Sequence, residues 1–199
     1  MLLGGTAAAV LIAGSAQAAA WTQPKGGKEV IVSLYRQDST HGFDLDGEAV
    51  DIVDYRKTEL QGFAEYGLSD RLTVRVQGSV RRLRTLNARD TELGHFELAA
   101  RYRILSGETW VLSSESAVRL PGGDGDPGSA QRGSPDAEYD SRFLLGKSGT
   151  VAGKAVFLDL QAGVRRRDGE APDERRLEVT AGGRPARRLM LMAQMFDVV

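Results

Sequence analysis

The chain has two histidines, His41 and His95, whose imidazole rings could act as a catalytic base or a metal ligand. His95 stands two residues before Glu97, and with a serine such as Ser79 or Ser113 it could form a triad. Spacing alone does not bring these groups together, so we expect His95 to make structural hydrogen bonds. His41 lies in a polar stretch and is expected to be solvated. The sequence therefore predicts no catalytic residue.

Carboxylates that could bind calcium occur in two short tracts, Asp44 to Gly47 and Asp124 to Asp126. Neither continues into a complete calcium loop with its downstream glutamate, and aspartate beside glycine is typical of turns. The chain has no cysteine, which excludes disulfides, thiolate zinc sites and cysteine nucleophiles. Phosphate-binding loops and the HExxH and GxSxG motifs are missing too. We predict no metal, no cofactor and no enzymatic activity.

The composition indicates one folded domain. The chain has 199 residues, of which 41% are hydrophobic, and this is enough for a sizeable core or a small barrel. Its 26 lysines and arginines are balanced by 27 aspartates and glutamates. Because nucleic-acid binders show a basic excess, we expect no nucleic-acid partner.

Residues 1–20 read as a secretory signal peptide. Leu2, Leu3 and residues 7–13 form an apolar region, and small residues around Ala18 and Ala20 offer two cleavage points. No lysine or arginine precedes the apolar region, which departs from the usual signal. The predicted organisation is a signal peptide at 1–20 and a β-barrel domain at 21–199.

The chain that follows alternates apolar and polar residues with a period of two, which is typical of β-strands. Residues 71–82 are the clearest case, since Leu72, Val74 and Val76 fall on one face and Thr73 and Arg75 on the other. Nine such segments are predicted: 29–37, 57–66, 71–82, 95–104, 111–120, 139–147, 156–165, 176–181 and 188–196.

The predicted connectors alternate in length. Long polar connectors are expected at 38–54, 83–93, 121–138 and 167–174. Short ones are expected at 67–70, 105–108, 148–153 and 182–187. Long loops at one end and tight turns at the other are the layout of bacterial outer-membrane barrels.

Alternation alone does not tell which face meets water. Two features favour a membrane barrel: apolar faces of small aliphatic residues, and aromatics near strand ends at Tyr66, Tyr102, Trp110 and Tyr139. The charged face would then line the lumen. The predicted lumen-lining residues are Lys57, Glu59, Glu65, Arg75, Arg81, Glu97, Arg101, Arg103, Glu115, Arg119, Asp159 and Arg165.

One segment carries a resemblance to a known group. DYRKTELQGFAEYGLSDRLTVRVQ, residues 54–77, resembles a hairpin that recurs in Gram-negative outer-membrane β-barrel proteins. With AWTQPKG after the signal, the pattern is similar to the XagA-like group associated with exopolysaccharide genes. The resemblance implies an antiparallel up-and-down transmembrane β-barrel in the outer membrane and carries over no catalytic residue.

Nine strands do not close such a barrel, because bacterial barrels have an even number. The resemblance also implies a final strand with a C-terminal aromatic, whereas this chain ends at Met195 to Val199. We therefore expect the sequence to be truncated from ten or twelve strands.

Three functions follow as hypotheses. The first is a passive channel or export-associated pore, linked to exopolysaccharide secretion and with polysaccharide as a candidate partner. The second is a non-conducting structural or adhesin-like barrel. The third is a soluble periplasmic lipocalin-like protein that binds a small apolar ligand. For the first two, the expected partners are the barrel-insertion machinery, outer-membrane lipid and lipopolysaccharide, whose phosphates the arginines at 81–84 and 165–167 could contact.

Overall fold

The computed structural model describes residues 7–10, 19–43, 48–84, 89–122, 136–169 and 172–199. They form one antiparallel sheet in which each strand pairs with the next along the chain. The strands are β1 (Ala7–Val10), β2 (Lys28–Phe43), β3 (Ala49–Ser69), β4 (Leu72–Arg84), β5 (Arg89–Ser106), β6 (Trp110–Leu120), β7 (Glu138–Val151), β8 (Lys154–Arg167), β9 (Glu174–Ala186) and β10 (Leu189–Val198). No helix in these ranges is long and apolar enough to cross a membrane.

The sheet curls into a half-barrel with a concave and a convex face, and it is not closed. Within the described residues, β10 pairs only with β9, and β1 pairs only with β2. The nine predicted strands are confirmed as β2–β10, and so is their up-and-down antiparallel order. The short strand β1 lies inside the predicted signal peptide, whose residues 1–6 and 11–18 lie outside the described ranges.

The strands extend further than the alternation predicts, and two of the four long connectors were predicted too long. In place of a connector at 38–54, β2 continues to Phe43 and β3 begins at Ala49. In place of one at 83–93, β4 continues to Arg84 and β5 begins at Arg89. In these extensions polar and apolar residues no longer alternate strictly, so the period of two disappears while backbone pairing goes on. Residues 44–47 and 123–135 lie outside the residues that the structure describes. They include both predicted calcium tracts.

The turns at the opposite end are tight. Between β7 and β8, Ala152 has a φ of 49° and Gly153 a φ of 73°. Two successive positive φ values are typical of the type I′ hairpin, whose twist matches that of the strands. The connector predicted at 148–153 is thus reduced to two residues. We call this end of the sheet the short-turn end and the other the long-connector end.

Candidate functional site

The two faces of the sheet differ in polarity and in exposure. On β5, the Leu98 side chain on the convex face is 52% exposed, whereas Glu97 on the concave face is 5% exposed. On β6, Val118 is 39% exposed and Glu115 only 3%. Apolar side chains therefore cover the outside of the half-barrel, and charged side chains fill its inside. This is the inverse of a soluble β-sandwich, which packs its apolar faces together.

Glu115 is the centre of the ion pairs on the concave face. Its Oε2 lies 2.7 Å from Nη2 of Arg101. Its Oε1 lies 2.9 Å from Nη2 of Arg75 and 3.4 Å from Nη2 of Arg142. Arg101 also lies 3.1 Å from Glu65. These groups come from five consecutive strands, β3–β7. Two of the pairs, Arg75–Glu115 and Arg101–Glu65, connect strands that share no backbone hydrogen bonds.

The ion pairs continue toward the long-connector end. Arg119 lies 2.8 Å from Glu97 and 3.4 Å from Glu138. Arg165 in turn lies 3.4 Å from both Glu138 and Asp140. We call these pairs, together with those around Glu115, the ion-pair network. Each buried charge of the network faces an opposite charge, so the pairs offset part of the cost of removing these groups from water. The Nε atoms of Arg75, Arg142 and Arg165 are buried without a hydrogen-bond partner among the described residues.

Residues 19–27 cross the concave face without regular structure, and we call them the inner segment. The backbone N–H of Ala20 donates to Oδ2 of Asp159 at 2.9 Å. The hydroxyl of Ser113 donates to the Ala20 carbonyl at 2.6 Å. Ala20 is completely buried against Val111 and Leu144. Side chains of the sheet thus satisfy backbone groups that a buried, irregular segment would otherwise leave unpaired.

Glycines of the sheet make room for the inner segment. The Trp21 ring lies on Gly146, where a Cβ would overlap the ring. The Pro24 carbonyl lies on Gly67, where a Cβ would overlap it as well. The Trp21 carbonyl also accepts a hydrogen bond from Nη1 of Arg101 at 3.0 Å. The inner segment therefore covers the short-turn end of the ion-pair network.

The residues predicted to line a lumen all fall on the concave face. They are Lys57, Glu59, Glu65, Arg75, Arg81, Glu97, Arg101, Arg103, Glu115, Arg119, Asp159 and Arg165. Lys57 pairs with Glu59 at 2.7 Å, separately from the network. Asp159 binds the inner segment, and Arg103 makes no ion pair with any described residue.

Sequence reasoning missed some members of this face. Glu138, Asp140 and Arg167 belong to it. Glu138 and Arg167 fall in the predicted connectors 121–138 and 167–174, and Asp140 lies in a segment whose alternation is less regular. One signal could have found Glu138 and Asp140: with Arg142 they alternate with Tyr139 and Ser141. No periodic pattern marks the inner segment, because its contacts depend on side chains far away in the chain.

The histidines take no part in a triad among the described residues. The His95 ring contacts the side chain of Gln77, with the two Nε2 atoms 3.3 Å apart. The Ser113 hydroxyl is engaged by the Ala20 carbonyl. His41 is exposed, and its Nδ1 lies 2.8 Å from the Thr40 hydroxyl. The described ranges also contain no group of side chains suited to hold a metal ion.

The chain matches no protein-family model, no curated protein and no solved structure. Its own geometry is therefore the basis for interpreting the site.

Proposed function

We propose that this protein is a β-barrel of the Gram-negative outer membrane that does not conduct, and that serves as a scaffold presenting its long-connector end outside the cell. The single observation that carries the proposal is the inverted sheet, with exposed apolar side chains outside and buried ion pairs inside. That arrangement suits a convex face in lipid and a polar interior.

The strand lengths agree with a membrane location. Strands β2–β10 are between 10 and 21 residues long. A tilted strand needs roughly 9–11 residues to cross the hydrocarbon layer. Several strands therefore have residues left over, and these extend the sheet beyond the membrane at the long-connector end.

Exposed aromatic rings support the same orientation. Tyr66, Tyr102 and Trp110 lie near the short-turn end of the convex face and are 41–47% exposed. Tyr139, at the start of β7, is 45% exposed toward the other end. Amphipathic rings of this kind favour the level of the lipid headgroups. The three rings at one end and Tyr139 at the other would mark the two surfaces of the membrane.

The buried interior favours a scaffold over a pore. Glu65, Arg101 and Glu115 are each less than 8% exposed, because they pair with one another beneath the inner segment. Small barrels filled by side chains conduct poorly. A channel or polysaccharide export pore would require the inner segment to leave the concave face, and the charged residues would then line the passage.

The open edge sets a condition on this proposal. Unpaired backbone groups at a strand edge cost several kcal/mol each in lipid. In the membrane, we propose that the sheet is part of a closed barrel of ten or twelve strands, placed there by the barrel-insertion machinery. A soluble lipocalin-like protein is disfavoured, because it would bury Leu98 and Val118 and expose Glu115.

Fractionation of a Gram-negative host that expresses the full chain tests the location. We expect the protein in the sarkosyl-insoluble outer-membrane fraction, with a gel band that shifts on boiling. The Leu98→Arg variant should lose this shift, because it places a charge in lipid, whereas the control Glu108→Arg, in an exposed turn, should keep it. A soluble periplasmic wild-type protein without a shift would overturn the proposal.

Conductance across a planar bilayer separates scaffold from pore. The wild-type protein should give no steady ion current. Stable open channels in wild type, with ion selectivity altered by Arg103→Glu on the concave face, would favour the channel instead.

A further inference from the structure

On the convex face, three successive rows of side chains cross strands β2–β5. The first row is apolar and exposed, and its directly paired members are Leu34, Leu60, Val80 and Leu93. The second row consists of Arg36, Thr58, Arg82 and Thr91. The third consists of Asp38, Arg56, Arg84 and Arg89. Apolar surface thus changes to basic surface within a single step of the pleat.

We call the second and third rows the arginine rows. They hold five arginines and one acidic residue, Asp38. Asp38 lies 2.8 Å from Nε of Arg36 and also contacts Arg56. These two guanidinium groups, Arg56 foremost and then Arg36, hold the pKa of Asp38 below its ordinary value. Asp38 is therefore ionised at neutral pH and compensates part of the positive charge.

The remaining arginines are uncompensated within the described part of the chain. Arg84 has Arg56 directly beside it on one neighbouring strand and Arg89 on the other. No described acidic group forms an ion pair with Arg82, Arg84 or Arg89. Like charges that face each other across strands are destabilising. An arrangement of this kind is stabilised when an anion lies between the guanidinium groups.

We propose that the arginine rows bind the phosphate groups of a phosphorylated lipid headgroup in the outer leaflet of the membrane. This inference rests on the proposed function, which places the row with Leu34 and Leu60 in lipid. Guanidinium groups suit the ligand, because they bind phosphate through paired hydrogen bonds.

The position of the rows favours a lipid over a free anion. Neighbouring rows on one face are separated by two residues, which is about 7 Å along a strand. The arginine rows therefore lie about 7 and 14 Å beyond the last apolar row, at the depth of headgroups. The ligand's acyl chains would then contact the exposed apolar rows directly below, which a free phosphate ion cannot do.

The test compares retention of lipopolysaccharide by two double variants of the full chain. R82Q/R84Q removes two charges from the arginine rows. The matched control, R187Q/R188Q, removes two exposed charges from the β9–β10 turn at the short-turn end. The probe is binding of each purified protein to nanodiscs that contain purified lipopolysaccharide, or the same material after removal of its phosphates.

We expect wild type and R187Q/R188Q to prefer the phosphorylated nanodiscs and R82Q/R84Q to bind them at least tenfold more weakly. Without lipopolysaccharide, R82Q/R84Q should unfold at a temperature no lower than wild type, because it relieves repulsion. Equal binding by wild type and R82Q/R84Q, or no preference for phosphate, would overturn the inference. So would displacement by inorganic phosphate at a concentration matched to that of the lipid phosphate, since it would indicate a site for the free ion.

Fractionation measures the membrane location of each of these proteins separately. If wild type is found in the outer membrane but R82Q/R84Q retains full binding, only the inference about the arginine rows is wrong. If wild type itself is soluble in the periplasm, the proposed function is wrong as well.

Discussion

The carboxylate of Asp159 binds the backbone amide of Ala20, with an N to Oδ2 distance of 2.9 Å. Asp159 is only 1% exposed, and its other oxygen accepts a hydrogen bond from Gln161 at 2.8 Å. No described cation forms an ion pair with it. A buried carboxylate without a cation is costly. The start of the inner segment is therefore the group that compensates Asp159.

This relationship predicts where the signal peptide predicted at residues 1–20 is cut. Cleavage after Ala20 would remove the residue that Asp159 and Ser113 bind, whereas cleavage after Ala18 keeps it. Cleavage after Ala18 also leaves a new ammonium group on Ala19, the residue before the Ala20 amide that the Asp159 carboxylate binds. We expect the mature protein to begin at Ala19, as measured by intact mass and N-terminal sequencing. A mature chain that begins at Trp21 would contradict the role given to Ala20.

The contact between the Trp21 ring and Gly146 can be tested by adding a side chain at position 146. Gly146→Val should displace the ring, lower the temperature of unfolding and shift the Trp21 fluorescence to longer wavelength. Trp110→Phe is used as the background, since Trp110 is the other tryptophan. The control is Gly149→Val on the same strand, where a Cβ meets nothing within 4 Å. Equal spectra for the two variants would show that the inner segment does not lie on Gly146.

Neutralising Glu115 tests the ion-pair network. Glu115→Gln removes the negative charge that pairs with Arg75 and Arg101 inside the sheet. Breaking one member of a buried ion pair costs about 3–5 kcal/mol. We expect a loss of about 3 kcal/mol or more in the free energy of unfolding by urea, measured in lipid vesicles. The same change at the exposed Glu108 should cost less than about 0.5 kcal/mol, and similar losses in both variants would contradict a buried network.

Acid should weaken one contact at the long-connector end, beyond the apolar rows. There the Arg167 guanidinium donates to the Glu174 carboxylate and lowers the pKa of Glu174 below its ordinary value of 4.5. A lowered pKa means that the contact stabilises the fold above pH 4.5 and loses that effect as the pH falls through the folded-state pKa. The difference in unfolding temperature between wild type and Glu174→Gln should therefore shrink below pH 4.5. A difference that stays constant from pH 7 to pH 3 would be inconsistent with this contact.

The sequence predicts the sheet well where one face is apolar. Strand β4 is the clearest example, since Val74 and Val76 alternate with Arg75 and both faces have the predicted polarity. The same reasoning fails beyond the last apolar row. There β2 and β3 continue as paired strands although their residues no longer alternate strictly between polar and apolar. Backbone pairing persists in such regions, but periodicity does not reveal it.

The candidate site could be predicted in part. Alternation assigns Glu115 and Arg101 to the charged face, but it does not say that they pair with each other or that Glu65 joins them. Those pairs depend on the register between strands and on the curl of the sheet. The seating of Trp21 on Gly146 depends on residues 125 positions apart in the chain, and no local pattern encodes it.

Spin-label accessibility measures whether the convex face lies in lipid. The chain has no cysteine, so each introduced cysteine is a unique attachment point. We would label Leu98→Cys and Val118→Cys on the convex face, with Ala99→Cys and Ala117→Cys on the concave face and Glu108→Cys as the aqueous reference. All five are measured in outer-membrane preparations.

If the convex face lies in lipid, labels at positions 98 and 118 will collide frequently with oxygen and rarely with a water-soluble nickel chelate. Labels at 99 and 117 should be shielded from both, and the label at 108 should respond mainly to the nickel chelate. Frequent collision of the labels at 98 and 118 with the nickel chelate would place the convex face in water. That result would contradict the membrane assignment.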